Sequence, residues 1–122
     1  MTTNDTYLAV FLGSKTSVRR AAWDALPEGE RHAKENEGML AWKEWVEKHH
    51  ATIVSMGGPL GKTKKVSQGG IADTSNEMGA FTVVRADSHE AAAKLFENHP
   101  HFAIFPGDSI EIMAVLPIPG AS

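Results

Sequence analysis

The chain has 122 residues, twelve basic and fifteen acidic, with a net charge of −3 at neutral pH. An apolar fraction of 42% and a charged fraction of 22% are those of an ordinary globular domain, which excludes a disordered or fibrous chain and suits one domain over residues 1–122 with its own core. Cysteine is absent, so disulfides, thiolate metal centres and cysteine nucleophiles are excluded, and the acidic balance argues against a surface that neutralises nucleic-acid phosphates.

Met1-Thr-Thr-Asn-Asp-Thr6 is polar and lacks the apolar stretch of a signal peptide, and no later run approaches the ~18 apolar residues of a membrane span, so a cytoplasmic protein without a membrane partner is expected. Residues 7–12, Tyr-Leu-Ala-Val-Phe-Leu, read as a strand buried on both faces and ended by Gly13. Ser17 then caps a short helix carrying Val18, Ala21, Ala22 and Trp23, and Pro27 forces a break near Leu26. Pro27 suits the first turn of the longest element, a helix over 28–50. On its wet side, Glu30/Lys34, Arg31/Glu35, Lys43/Glu47 and Glu44/Lys48 stand four residues apart, and Met39, Leu40, Trp42, Trp45, Val46 and His49 form its apolar stripe.

A second strand over 52–56 is closed by Gly57-Gly-Pro59. Residues 60–78 are polar and Gly-rich, with room for one short edge strand over 63–67 protected by its lysines. Residues 79–85 read as a strand. Ser88 caps a helix over 89–98 that Pro100 helps to end, and 110–116 alternate as the last strand before Pro117 and Pro119. This order is the split βαβ, ferredoxin-like α+β plan, one antiparallel sheet with two helices on one face. Val10, Phe81 or Thr82, Val83, Met113 and Val115 leave the other face partly apolar, and a second copy of the chain is the simplest cover for it.

Few motifs carry chemistry. Gly57-Gly-Pro-Leu-Gly-Lys62-Thr63 has three residues between its outer glycines where a phosphate loop needs four, and no helix follows, so no nucleotide site is expected. Lys62 or Lys64 is left either on a solvated edge or facing an anion. His32 and His89 fall near helix starts, as exposed residues do. His49 and His50 end the long helix, where a protonated imidazole favours the dipole, or His49 turns inward. An extended His99-Pro-His101 does not converge on a metal, but one of its histidines is a candidate acid/base group as well as a candidate packing residue. Trp23, Trp42 and Trp45 serve either as core and interface or as the wall of an aromatic pocket. Asp108, after the Phe105-Pro-Gly107 turn, is a ligand-binding candidate beside its ordinary role in the turn. No serine elbow, carboxylate pair or dinucleotide fingerprint is present, and no metal or cofactor is expected.

Several segments resemble the YCII-related, DGPF-like family of the dimeric α/β-barrel superfamily. They are Trp45-Val-Glu-Lys-His-His50, Gly57-Gly-Pro59, Phe81-Thr-Val-Val84, Ser88-His-Glu-Ala-Ala-Ala-Lys94, His99-Pro100 and Ile110-Glu-Ile-Met113, within residues 5–117. The resemblance implies a ferredoxin-like protomer, a homodimer with sheets face to face, and a small-molecule pocket between sheet and helices. It also implies cofactor-free acid/base chemistry of isomerase or lyase type on a small aromatic or anionic compound; the alternative is a non-catalytic metabolite-binding or structural dimeric module. In the better-known branch a histidine on the long helix and an aspartate before a proline form the acid/base pair. Here Ala41 or Trp42 stands at the first position and His99 at the second. The expected roles are therefore His99 as general acid/base, His101 as its neighbour, Trp42 as pocket wall, and Lys62 and Asp108 as ligand contacts.

Overall fold

The computed structural model describes residues 5–120. In chain order the elements are β1 (Thr6–Leu12), α1 (Val18–Asp24), α2 (Glu28–Lys48), a 3-10 turn (His50–Thr52), β2 (Ile53–Pro59), β3 (Thr63–Ser67), β4 (Gly70–Thr74), β5 (Met78–Arg85), α3 (His89–Lys94), α4 (Pro100–Ala103) and β6 (Ser109–Ala114). Four strands form an antiparallel sheet in the order β2-β5-β1-β6. With α2 joining β1 to β2 and α3 joining β5 to β6, this is the split βαβ arrangement expected, and β3 and β4 form a separate hairpin.

Register decides which side chains meet the helices. Tyr7, Ala9 and Phe11 alternate onto one face of β1, opposite Val84, Thr82 and Ala80 on β5 and Ala114, Ile112 and Ile110 on β6. Trp45 of α2 and Ala92 of α3, with Phe96 just beyond, pack on that same face, so both helices cover one side of the sheet. Each large side chain enclosed there contributes about 1.5–3 kcal/mol. The opposite face carries Leu8, Val10, Phe81, Val83 and Met113, which settles the choice between Phe81 and Thr82. Thr82 points inward, where its hydroxyl donates to the Met56 carbonyl at 3.0 Å.

Local chemistry shifts several boundaries. Ser17 and Ser88 cap α1 and α3 as expected, accepting from the amides of Arg20 and Ala91. The helix α2 ends at Lys48, and its stripe is narrower than read: Met39 and Leu40 are exposed, while Gly38, Trp42, Trp45 and Val46 face the fold. Of the expected charge pairs, Arg31–Glu35 stands at 3.9 Å. Gly57-Gly58-Pro59 does not close β2 but lies inside it. Gly57 adopts φ +61 at a register shift, and a Cβ there would lie 2.1 Å from the Phe81 carbonyl oxygen, so glycine lets the bulged strand keep contact with β5. The stretch read as one edge strand is a two-stranded hairpin, with Lys64 and Asp73 paired across it at 2.6 Å. The second connecting helix stops at Lys94, and Asn98 at φ 59 turns the chain into α4. The last strand ends at Ala114, two residues early.

Candidate functional site

The segment expected as an extended His-Pro-His is the start of a helix. His99 has extended backbone angles, Pro100 supplies the fixed φ of the first helical position, and the His99 ring itself caps α4: Nδ1 accepts from the His101 amide at 3.0 Å. Because Nδ1 accepts, the proton of the neutral ring sits on Nε2, and that atom is buried without a hydrogen-bond partner. Four aromatic rings enclose it. Trp42 and Trp45 lie 4.6 and 4.8 Å from its centre, Phe11 5.1 Å and Phe96 5.9 Å, and no part of His99 is exposed. Burial pushes its pKa down to about 3, and the neighbouring His101 and His49 push the same way, so the ring is neutral at pH 7.

His101 sits one side of this cage and performs a different task. Its Nε2 donates to the Leu12 carbonyl at 2.8 Å, which leaves Nδ1 as the proton acceptor of the ring. The same carbonyl accepts from the Asp108 amide at 2.9 Å, and the Asp108 carboxylate accepts from the Ser14 amide at 2.7 Å. Gly107 lies flat against the imidazole: a Cβ there would come within 2.3 Å of Cε1 and 2.4 Å of Nε2. Burial lowers the His101 pKa. The carbonyls of Leu12 and Ser109 and the carboxylate of Asp108 oppose that, and the Arg19 guanidinium adds to the lowering. Arg19, on α1, donates to the carbonyls of Gly107 at 2.7 Å, Phe105 at 3.2 Å and Phe102.

His101 and Gly107 border an open cleft at the C-terminal end of β1. A recess of about 400 Å³ is lined by Ser14, Lys15, Trp23, His101, Phe105 and Gly107. A second recess of about 740 Å³ lies toward the hairpin, with Lys15, Lys62, Lys64, Ser75 and Asn76 on its walls. The two share Gly13, Lys15, Glu77 and Gly79. One recess therefore offers an imidazole beside aromatic surface, and the other offers lysines and hydrogen-bonding groups together with the carboxylates of Asp73 and Glu77. Lys64 is already paired with Asp73, so Lys15 and Lys62 are the cations left to meet an anion.

The fold thus brings His99, His101 and Trp42 into one aromatic cluster and sets Asp108 beside it, while Lys62 stands across the cleft. Trp42 lines neither recess. It lies beneath Phe11, His99 and Phe105 as part of their support, and Trp23 is the tryptophan that reaches the wall. Ser14, Arg19 and Gly107 are site residues that no local pattern indicates, since each meets its partner through contacts distant in sequence, and Lys15 joins them only by lining both recesses. His49 ends α2 against Trp45, ring centres 4.9 Å apart, and burial followed by the charge of Lys48 lowers its pKa, so it is neutral at pH 7 and not a protonated cap. Among the described residues no three of His, Asp and Glu are placed to hold a metal ion, and no helix is long and apolar enough to cross a membrane.

No family model and no curated protein matches the chain. Among solved structures, it is similar to 5-chloro-2-hydroxyhydroquinone dehydrochlorinase from Burkholderia phenoliruptrix AC1100 in complex with 2,5-dihydroxybenzoquinone, at 16% identity over 88% of this chain and 90% of that one, with a TM-score of 0.48.

Proposed function

We propose that this protein is a homodimer of the YCII-related type that binds a small aromatic or anionic compound in the cleft at the end of β1 and moves a proton at Nδ1 of His101 without a cofactor. The observation that carries this reading is the state of His101: a half-buried, neutral imidazole with its tautomer fixed by the Leu12 carbonyl, on the wall of an open recess beside Trp23. Trp23 and Phe105 supply surface for a ring, and Lys15 and Lys62 supply charge for an anionic group. In this reading His101 takes the acid/base role. His99, with no exposed atom and its Nδ1 engaged by the α4 cap, supports it from below.

Small aromatic carboxylates such as benzoate, salicylate and phenylacetate test the cleft by quenching tryptophan fluorescence. Lys62→Ala and Trp23→Ala are each expected to weaken binding about fivefold, in line with the loss of roughly 1 kcal/mol of contact. For any compound that is converted, His101→Ala should retain binding and lose turnover by about 10²-fold or more. Failure of the whole panel to bind at millimolar concentration sinks the cleft; binding without conversion of any cyclic acid or lactone turns the protein into a binding module.

The dimer has its own support. Leu8, Val10, Phe81, Val83 and Met113 share the sheet face that no helix covers, and Met113 is 42% exposed in the isolated chain. Light scattering at micromolar concentration should give twice the mass of the chain, and Val83→Glu should halve it. A wild-type protein that runs as a monomer under those conditions removes the face-to-face arrangement.

A further inference from the structure

The geometry points to Arg19 as the positioning residue of the site: we propose that its guanidinium, by gathering the carbonyls of Phe102, Phe105 and Gly107, fixes where the His101 ring stands in the cleft. This rests on the reading of His101 as the group that moves the proton.

The helix α4 has four residues and cannot hold its own shape, because its terminal carbonyls have no partner within the helix. Arg19 takes one of them, Phe102, together with the two carbonyls of the turn that follows. A planar guanidinium presents several N–H groups in a fixed fork and so can serve converging carbonyls at once, which a lysine ammonium on a flexible stem does not do with the same geometry. The neighbouring Arg20 shows the ordinary alternative: it pairs with Asp24 one turn on, at the surface. Arg19 makes no such pair in the described residues and is spent on backbone 83 to 88 residues away.

No residue of α1 is buried, and Val18 is 85% exposed, so apolar burial does not explain why this helix lies where it does. Arg19, with the packing of Trp23 on Phe105 at 5.7 Å, is what ties it to the 102–107 segment. Through Gly107 the tie reaches the imidazole. With that glycine held against one side of the ring and the Leu12 carbonyl holding Nε2, His101 has little freedom to turn. The same contact places a permanent positive charge near the ring, which disfavours the imidazolium. One side chain therefore fixes the position of the ring and adds to the lowering of its pKa that burial begins.

The test needs no ligand. Nuclear magnetic resonance of the His101 ring nitrogens, in Arg19→Ala and Arg19→Lys proteins shown to be folded by circular dichroism, reads tautomer and titration directly. Arg19→Ala is expected to raise the His101 pKa, to mix its tautomers and to broaden the amide signals of residues 102–107. Arg19→Lys, which keeps the charge and loses the fork, should return much of the pKa but not the single tautomer or the sharp signals. Wild-type values for all three measures in Arg19→Ala overturn the proposal. A His101 response in Arg19→Ala, with no compound binding to the wild-type cleft, leaves the positioning role standing and removes the functional reading instead.

Discussion

Lowering the pH from 6.5 to 4.5 is expected to cost the protein roughly 2 kcal/mol of folding stability through His99 alone, the slope rising toward about 1.36 kcal/mol per unit as the unfolded ring becomes fully protonated. The ring titrates at 6.5 when unfolded and is pushed down to about 3 when folded, because burial among Phe11, Trp42, Trp45 and Phe96 leaves an imidazolium no solvent. Above 6.5 both states are neutral and stability is fully present. Below it the unfolded chain takes a proton that the folded chain refuses, so stability falls with each unit until the folded ring also titrates near 3. His101, lowered by burial as well, tilts the curve the same way.

Geometry makes protonation of His99 more than a desolvation cost. A proton on Nδ1 would set a donor against the His101 amide that now donates to it, and the cap of α4 would be lost. Acid unfolding should therefore begin at the cage, where two tryptophans report it by fluorescence. His99→Asn keeps a side-chain oxygen for the cap and removes the titration. It should be less stable than wild type at pH 7, by roughly 2–3 kcal/mol for the lost ring, yet flatter between pH 6 and 4 by about 1 kcal/mol per unit. Urea melts at four pH values decide the matter: an unchanged slope in His99→Asn means that His99 does not bear the acid sensitivity.

The parts of the fold legible in sequence are those whose burial repeats. The apolar run of β1 and the serine caps of α1 and α3 placed those elements, and the order of strands and helices predicted the sheet. β4 escaped because Gly70-Ile-Ala-Asp-Thr74 is exposed along its whole length, so no face of it carries an apolar rhythm. The helix α4 escaped because its cap is an imidazole nitrogen, outside the Ser, Thr, Asp and Asn that signal a helix start. Reading Met39 and Leu40 into the core failed for a related reason: spacing shows which residues share a helix face, but not how far the facing layer extends. The site was legible only as far as single residues allow. His99 and His101 stand out by type, and Lys62 by charge; Ser14–Asp108 and Arg19–Gly107 join positions 94 and 88 residues apart, and local patterning contains nothing of them.

Gly107→Ala should be strongly damaging, with an expected cost of about 3 kcal/mol from overpacking and a lost hydrogen bond. The new Cβ would meet Cε1 of His101 at 2.3 Å and both Nε2 and the His101 carbonyl oxygen at 2.4 Å. None of these can easily withdraw. The ring is held by the Leu12 carbonyl, and the carbonyl oxygen is backbone that accepts from the Gly107 amide itself at 2.9 Å. Gly38→Ala provides the control, since its Cβ would meet the edge of the Phe105 ring at 2.5 Å, a comparable overlap on paper. Phe105 is only half-buried and can turn, and alanine recovers about 1 kcal/mol of helix propensity within α2, so that variant should lose much less. Equilibrium urea unfolding of the two proteins measures the difference. Equal stability would mean that the 101–107 segment yields as readily as a side chain, and the close seat of His101 against Gly107, on which the proton-transfer reading depends, would have to be given up.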